Sequence, residues 1–190
     1  MSESDLLEPL LGPVTAVQQL IDAFDQQGII IGGVAVSLLS QPRLTADADA
    51  MFLLSLDDLP QLVEKAQTFG LTPRIPDAIP FARQSRVVLL KHDASGIPVD
   101  ISLGLLPFEV EAVERSEEFQ AGNLRLRLPT PEDLIILKAV AHRPKDMLDI
   151  AAIVAAHPNV DANRIAFWVQ QFADLLEMPE LWGDVEKLIK

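Results

Sequence analysis

The sequence contains no cysteine among its 190 residues. This absence excludes a disulfide framework, a zinc site built on thiolates and a cysteine nucleophile. Any metal that the protein binds must therefore be held by oxygen or imidazole ligands. The three histidines, His92, His142 and His157, do not have the spacing of metal ligands.

Long apolar runs are also missing. No uninterrupted run approaches the roughly 20 residues that span a bilayer. The N-terminal stretch MSESDLLEPLLGP has acidic residues where a secretory signal would have basic ones. We therefore expect a cytoplasmic protein that does not associate with a membrane.

Basic residues are few. Lysine and arginine total 15 against 28 acidic residues, which gives a formal net charge of -13 at pH 7. Phosphate backbones are bound by an excess of lysine and arginine, so this balance argues against a broad nucleic-acid surface. A large nucleic acid is therefore a less favoured partner than a small molecule or a protein, although a few clustered arginines could form a local basic patch.

The remaining composition is that of a globular protein with an α+β fold. Hydrophobic residues make up 49% of the chain, and its length suits one compact domain. Strand patterns lie in the first part of the chain and helical patterns follow residue 128, so we expect a mixed sheet in residues 1–128 and a helical region in 129–190 packed on it. Strands are predicted over 29–31, 45–54, 85–92 and 97–103, with a hairpin turn over 93–96 between the last two, and irregular structure over 73–80. Helices are predicted over 14–27, 57–69, 131–142, 144–156 and 161–176, with a last short helical segment ending at residue 190.

A glycine pair lies between a predicted strand and a predicted helix. Ile29, Ile30 and Ile31 precede Gly32 and Gly33, and the helical pattern VAVSLLS follows. Backbone N–H groups and the helix dipole favour an anion at such a turn. Alone, a double glycine is weak evidence for a phosphate site.

Two aspartates follow the glycine pair within a short distance. Asp47 and Asp49 are two residues apart on a predicted strand, so their carboxylates project the same way, with β-carbons roughly 7 Å apart. Their repulsion is relieved if a divalent cation lies between them. Asp100 projects from the non-core face of another predicted strand and is the natural third ligand, which suits Mg²⁺ or Mn²⁺. Without other evidence, a solvated strand end would explain the pair.

Together, these residues resemble a known family. The stretch GGVAVSLLSQPRLTADAD resembles the signature of the polymerase-β-like nucleotidyltransferase superfamily, in the subgroup related to AbiEii-type toxins. The segments VDIS, LLPFE and LPTPEDLIILKAVAHRPKDMLDIAAI continue the resemblance, which covers roughly residues 28 to 156. Ser40 and Ala48 depart from it, where glycine and a large aliphatic residue are usual. Gly33 also departs, where many such enzymes have a phosphate-binding serine.

The resemblance implies a nucleotidyltransferase-type sheet flanked by helices, with Mg²⁺ and a nucleoside triphosphate as ligands. It places Asp47, Asp49 and Asp100 at the metal and catalytic positions. Further matching positions, which the resemblance assigns to nucleotide binding, are Gly32, Gly33, Arg43, Thr45, Lys145, Asp146 and Asp149.

Lys138 stands out without the family, because it interrupts the apolar run 134–141. An unpaired buried ammonium is costly, so Lys138 either extends to water or faces an anion. We favour the anion and count Lys138 among the catalytic residues, since the family also has a lysine here. The next helix already has a predicted core stripe in Met147, Ile150, Ala151 and Val154. A surface pair therefore explains Lys145 and Asp149 adequately, as a capping role explains Asp146.

The sequence thus predicts transfer of a nucleoside monophosphate from a triphosphate to the hydroxyl of an unidentified acceptor. One alternative is a catalytically silent nucleotide-binding or interaction module on the same fold. Another is a toxin that has an antitoxin protein as its partner.

Overall fold

The computed structural model describes residues 8–190 and is built around a five-stranded mixed sheet with a separate two-stranded hairpin. The strands are Gly28–Ile31 (β1), Ala48–Phe52 (β2), Leu71–Pro73 (β3), Val87–His92 (β4), Pro98–Leu103 (β5), Glu117–Ala121 (β6) and Leu124–Leu128 (β7).

The order of the main sheet is β1-β2-β5-β4-β3. Strands β2 and β5 run parallel, and the other neighbouring pairs run antiparallel. Strands β6 and β7 form the antiparallel hairpin. The parallel pairing brings two stretches about 50 residues apart in sequence side by side, which is how the predicted acids come together.

Helices surround the sheet and form the C-terminal part of the chain. Side-chain oxygens cap the helices that begin at Pro131 and Ala162: Thr130 accepts the amide of Asp133, and Asp161 accepts the amides of Asn163 and Arg164. The α-helices are Leu11–Asp22 (α1), Gly32–Leu39 (α2), Leu59–Thr68 (α3), Ala78–Ser85 (α4), Pro107–Glu114 (α5), Pro131–Ala141 (α6), Pro144–Ala156 (α7), Ala162–Leu176 (α8) and Glu180–Ile189 (α9).

The sheet has one face in the core and one that carries the polar residues of interest. In β5, Val99, Ile101 and Leu103 are buried, while Asp100 and Ser102 on the opposite face are partly exposed. Helix α1 packs against β1, β2 and β4, and helix α2 packs against β1 and β2 and also against α6 and α7. Helices α2, α6 and α7 therefore lie together next to the strands that carry the acids.

The α+β fold with a nucleotidyltransferase-type mixed sheet flanked by helices is confirmed, but several predicted boundaries are wrong. Helix α1 ends at Asp22 because Asp25 and Gln26 adopt left-handed backbone angles. Strand β2 begins at Ala48, after a loop in which Thr45 bonds the Asp47 side chain. The stretch 73–80 is irregular only in part, since Pro80 lies in the first turn of α4, where proline is tolerated.

The division of the chain at residue 128 into a core and a helical region stays a prediction. The acidic N-terminal stretch, as far as residue 7, lies outside the described residues. Within 8–190, no helix has both the length and the apolar character needed to cross a bilayer.

Candidate active site

The glycine turn is shaped to accommodate the aspartate strand. Gly32 has a φ of +66°, and a Cβ placed on it would overlap the carboxylate of Asp49, with the carboxyl carbon only 2.7 Å away. A Cβ on Gly33 would lie 2.8 Å from Cβ of Thr45. The sequence predicted this pair as a phosphate-binding turn. The structure adds a second reason for it: the backbone must leave room for the side chains of Asp49 and Thr45.

The replacement Gly32→Ala is therefore expected to lower the free energy of unfolding by more than its backbone strain alone. A left-handed φ costs a non-glycine residue about 1–2 kcal/mol. Gly96→Ala is the matched control, because Gly96 has a φ of +70° and a Cβ added there would have no atom within 4 Å. Chemical denaturation should show the larger loss in Gly32→Ala. Equal losses would contradict the close approach to Asp49.

The three predicted acids lie along one wall of a single cavity. Asp49 is in register with Ile31 of β1 on one side and with Asp100 of β5 on the other. Asp47 lies in the loop just before β2, and its carboxylate accepts a hydrogen bond from Thr45 at 2.9 Å. The prediction that the acids converge on one pocket next to the double glycine agrees with this arrangement.

Burial and repulsion make ionisation of Asp49 and Asp100 less favourable. Burial raises the pKa of Asp49 to about 6, and the charges of Asp47 and Asp100 add to the rise. Burial also raises the pKa of Asp100, although Arg74 opposes the rise. A cation among these acids would favour their charged forms.

The three acids do not lie close enough together to coordinate one metal ion in the conformation of the structure. Among residues 8–190, no three His, Cys, Asp or Glu side chains are grouped closely enough to hold one ion. The carboxylate of Asp100 accepts a hydrogen bond from Nη2 of Arg74 at 2.6 Å. Sequence reasoning missed Arg74 because it lies in a proline-rich stretch with no motif, and only the sheet pairing brings it to Asp100.

A buried ionic network centred on Lys138 borders the same cavity. Its Nζ lies 2.8 Å from Oδ2 of Asp149 and 3.2 Å from Oδ1 of Asp146. Arg43 binds both oxygens of Asp149, at 2.8 and 2.9 Å. Arg143 donates to Asp146 from Nε and Nη2, and these bonds with that of Lys138 lower the pKa of Asp146 although burial raises it. Lys138 thus faces anions, but these anions are the protein's own carboxylates, and its contact with a phosphate ligand stays a prediction.

Two predictions about helix α7 are wrong. Asp149 is buried and paired with Lys138 and Arg43, so it is no surface partner of Lys145. Ala151, expected in the core, is exposed, and Asp146 and Asp149 share the buried face with Ile150 and Ile153. The hydrophobic pattern misled because partnered carboxylates can occupy an inward face. The predicted cap is present, since Asp146 accepts the amide of Arg143.

One cavity of about 410 Å³ is lined by the acids and by the cations of this network. Asp146 and Asp149 do not line it but lie behind the cations that do. Arg143 is a lining residue that sequence reasoning did not select, although it stands next to the selected residues in RPKD. The predicted residues that line the cavity are Gly32, Gly33, Arg43, Thr45, Asp47, Asp49, Asp100, Lys138 and Lys145.

Comparison with known proteins agrees with this picture. A family model described as "Nucleotidyltransferase of unknown function (DUF6036)" matches residues 10–166. No match is found among curated proteins. The match supports the superfamily that the sequence motifs resemble, and the narrower AbiEii-related subgroup stays a prediction.

Two solved structures share the fold at low sequence identity. An antigenic nucleotidyltransferase-like protein from Paracoccidioides brasiliensis has a TM-score of 0.55 and 15% identity, over 96% of this chain and 93% of that chain. The antibiotic-resistance factor ANT(2'')-Ia has a TM-score of 0.57 and 16% identity, over 88% of this chain and 95% of that chain. At these identities the likeness concerns the fold alone.

Proposed function

Because the chain belongs to the DUF6036 family of nucleotidyltransferases, we propose that it transfers a nucleoside monophosphate from a nucleoside triphosphate to an acceptor hydroxyl. The arrangement of charge around one cavity carries this proposal. Asp47, Asp49 and Asp100 line this cavity together with Arg43, Lys138, Arg143 and Lys145. A triphosphate with its metal ion needs both signs of charge in one place.

The donor set suits Mg²⁺ or Mn²⁺. Carboxylate oxygens are the ligands that these hard cations prefer. Burial and the charges of Asp47 and Asp100 raise the pKa of Asp49 to about 6, and a bound cation would offset both effects. Asp47, Asp49 and Asp100 would hold the metal. Bound there, it would stabilise negative charge on the phosphates and lower the pKa of the acceptor hydroxyl.

The protein's own groups divide the remaining work. The glycine turn and the cations that line the cavity bind the phosphates, and the ion pairs with Asp146 and Asp149 hold Lys138 in place at the cavity. Asp146 and Asp149 position Arg143, Lys138 and Arg43. Thr45 positions Asp47.

The transfer exchanges one bond to the α-phosphorus for another. The acceptor oxygen forms a bond to this phosphorus while the bond to the bridging oxygen of the β-phosphate breaks. Asp100 takes the proton of the acceptor hydroxyl. The products are the nucleotidylated acceptor and pyrophosphate. Orientation of the two reactants in line with the phosphorus supplies much of the rate.

Asp49→Asn tests the site directly. We expect the affinity for each Mg²⁺-bound nucleoside triphosphate to fall at least about tenfold in calorimetry, since loss of ligand-shell groups commonly costs roughly 10-fold to 100-fold. Asp57→Asn is the control, because Asp57 is an exposed acid whose nearest cation is Arg83 at 3.9 Å. Unchanged binding by Asp49→Asn would count decisively against this site.

A labelling experiment identifies the acceptor and distinguishes an active enzyme from a catalytically silent module. Wild-type protein is incubated with cell extract and each of the four triphosphates carrying ³²P at the α-phosphate. The net charge of -13 favours a labelled small molecule or protein over labelled RNA. Triphosphate binding with no labelled product would favour a silent nucleotide-binding module. The toxin role, an antitoxin partner and a cytoplasmic location stay predictions.

A further inference from the structure

Arg74 occupies a defined place in the sheet next to the acidic wall. Its amide donates to the carbonyl of Leu89 at 3.1 Å, one residue beyond the end of β3. Leu89 is in register with Asp100 on β5. Paired residues of neighbouring strands point to the same face of a sheet. Arg74 and Asp100 therefore lie in one row across three strands, on the face that lines the cavity.

Only a long side chain can connect the two ends of this row. Two inter-strand spacings separate their backbones by roughly 9.5 Å. The Arg74 side chain crosses this distance over Leu89 and places Nη2 2.6 Å from Oδ1 of Asp100. The contact is a charge-assisted hydrogen bond, and the side chains are 29% and 34% exposed.

The bond to Arg74 occupies one carboxylate oxygen of Asp100 and leaves the other available to a ligand. Among the described residues, Arg74 is the one side chain that donates to the Asp100 carboxylate, and it occupies Oδ1, so that no described side chain donates to Oδ2. Asp47 is bonded similarly by the hydroxyl of Thr45. Each flanking carboxylate thus has one oxygen held by a neighbour, as carboxylates around metal ions usually do.

We propose that Arg74 is a positioning residue of this site: it fixes the orientation of Asp100 and thereby strengthens binding of a divalent cation by the acidic wall. The inference rests on the proposed function and extends it to a residue outside the sequence motifs. Without the guanidinium, the Asp100 side chain is free to rotate. The entropy lost when the ion orders this side chain then lowers the affinity for the ion.

A competing effect has the opposite sign. The positive charge of Arg74 repels a divalent cation, so its removal would strengthen binding if repulsion were dominant. The ion pair is about one-third exposed, and water and salt screen such repulsion. Orientation is therefore the stronger effect in this geometry, and the sign of the change in affinity decides between the two.

The test is Mn²⁺ binding, followed by electron paramagnetic resonance of the free ion. Arg74→Gln is expected to weaken Mn²⁺ binding roughly 10-fold to 100-fold, as other outer-shell partners do. Arg74→Lys keeps the charge and should retain part of the affinity. Arg83→Gln is the matched control, since Arg83 is an exposed arginine of the neighbouring helix and should bind Mn²⁺ like wild type. All three variants should melt close to the wild-type temperature.

Unchanged or tighter binding by Arg74→Gln, with normal binding by wild type, would overturn the positioning role and leave the proposed function intact. If Arg74→Gln does not fold, the graded loss in Arg74→Lys decides the question. Wild-type protein that binds no Mn²⁺, with or without a non-hydrolysable triphosphate, would overturn the proposed function and this inference together.

Discussion

Replacing Asp149 by asparagine is expected to lower the free energy of unfolding by about 3 kcal/mol, because removal of one partner from a buried ion pair leaves the other charge uncompensated. Lys138 is 5% exposed, and Asp149 is its nearest partner at 2.8 Å. After the replacement, Lys138 and Arg143 share Asp146 as their remaining acid. Denaturation in urea measures the loss.

The cause is tested by a second replacement in the same network. Lys138→Met removes the stranded ammonium, so the double variant Lys138→Met/Asp149→Asn should recover at least about 1 kcal/mol of the loss. Asp146 keeps Arg143 in this variant, and the partly exposed Arg43 can turn to water. Strictly additive losses would show that Lys138 and Asp149 do not stabilise each other.

Asp49→Asn is expected to raise the melting temperature in metal-free buffer at pH 8 and to change it little at pH 4. Burial raises the pKa of Asp49 from 3.8 to about 6 in the folded protein. Between these values the folded state binds more protons than the unfolded state, so stability falls as pH rises from about 4 to about 6. The loss persists above pH 6 and is on the order of 2–3 kcal/mol.

Asparagine stays neutral, so the variant avoids this loss. A chain of this size should melt roughly 5–10 °C higher at pH 8, measured by calorimetry with EDTA. Asp57→Asn, at an exposed position, is the control and should show no such dependence on pH. Added Mg²⁺ should then stabilise wild type more than Asp49→Asn, because a ligand stabilises the state that binds it. An equal effect of Asp49→Asn at both pH values would contradict the origin of the raised pKa.

The two measurements on Asp49→Asn support each other. The variant is expected to be more stable at pH 8 and yet to bind Mg²⁺-bound triphosphate less well. Loss of binding therefore could not be attributed to unfolding. A carboxylate that destabilises the protein and is nevertheless present is typical of a site shaped for a ligand.

Local sequence patterns predicted much of the fold. The turn at Asp93–Gly96 joins β4 and β5 as expected, and α7 has its predicted bounds of Pro144 and Ala156. Hairpins and amphipathic helices depend on residues close in sequence, so they can be predicted from a single sequence. The segment after Leu103 was not assigned, and it forms α5 and the β6–β7 hairpin. Its strand β6 is largely exposed and lacks a clear alternation of apolar residues.

The sequence by itself selected most of the polar residues that line the cavity. The glycine pair, the two aspartates of ADAD, Asp100 and Lys138 were all selected from local spacing and from family resemblance, and the structure places them around one cavity. Such motifs are readable because the turn, the strand and their side chains lie within a few residues of one another.

Only the tertiary structure decided which charges neutralise each other. Arg74 reaches Asp100 across an intervening strand, and Arg43 reaches Asp149 over 106 positions of the chain. Pairing between strands and helices distant in sequence sets these contacts, and the period of a single element does not encode them. For the same reason Asp149, which its own helix pattern placed at the surface, lies buried beside Lys138.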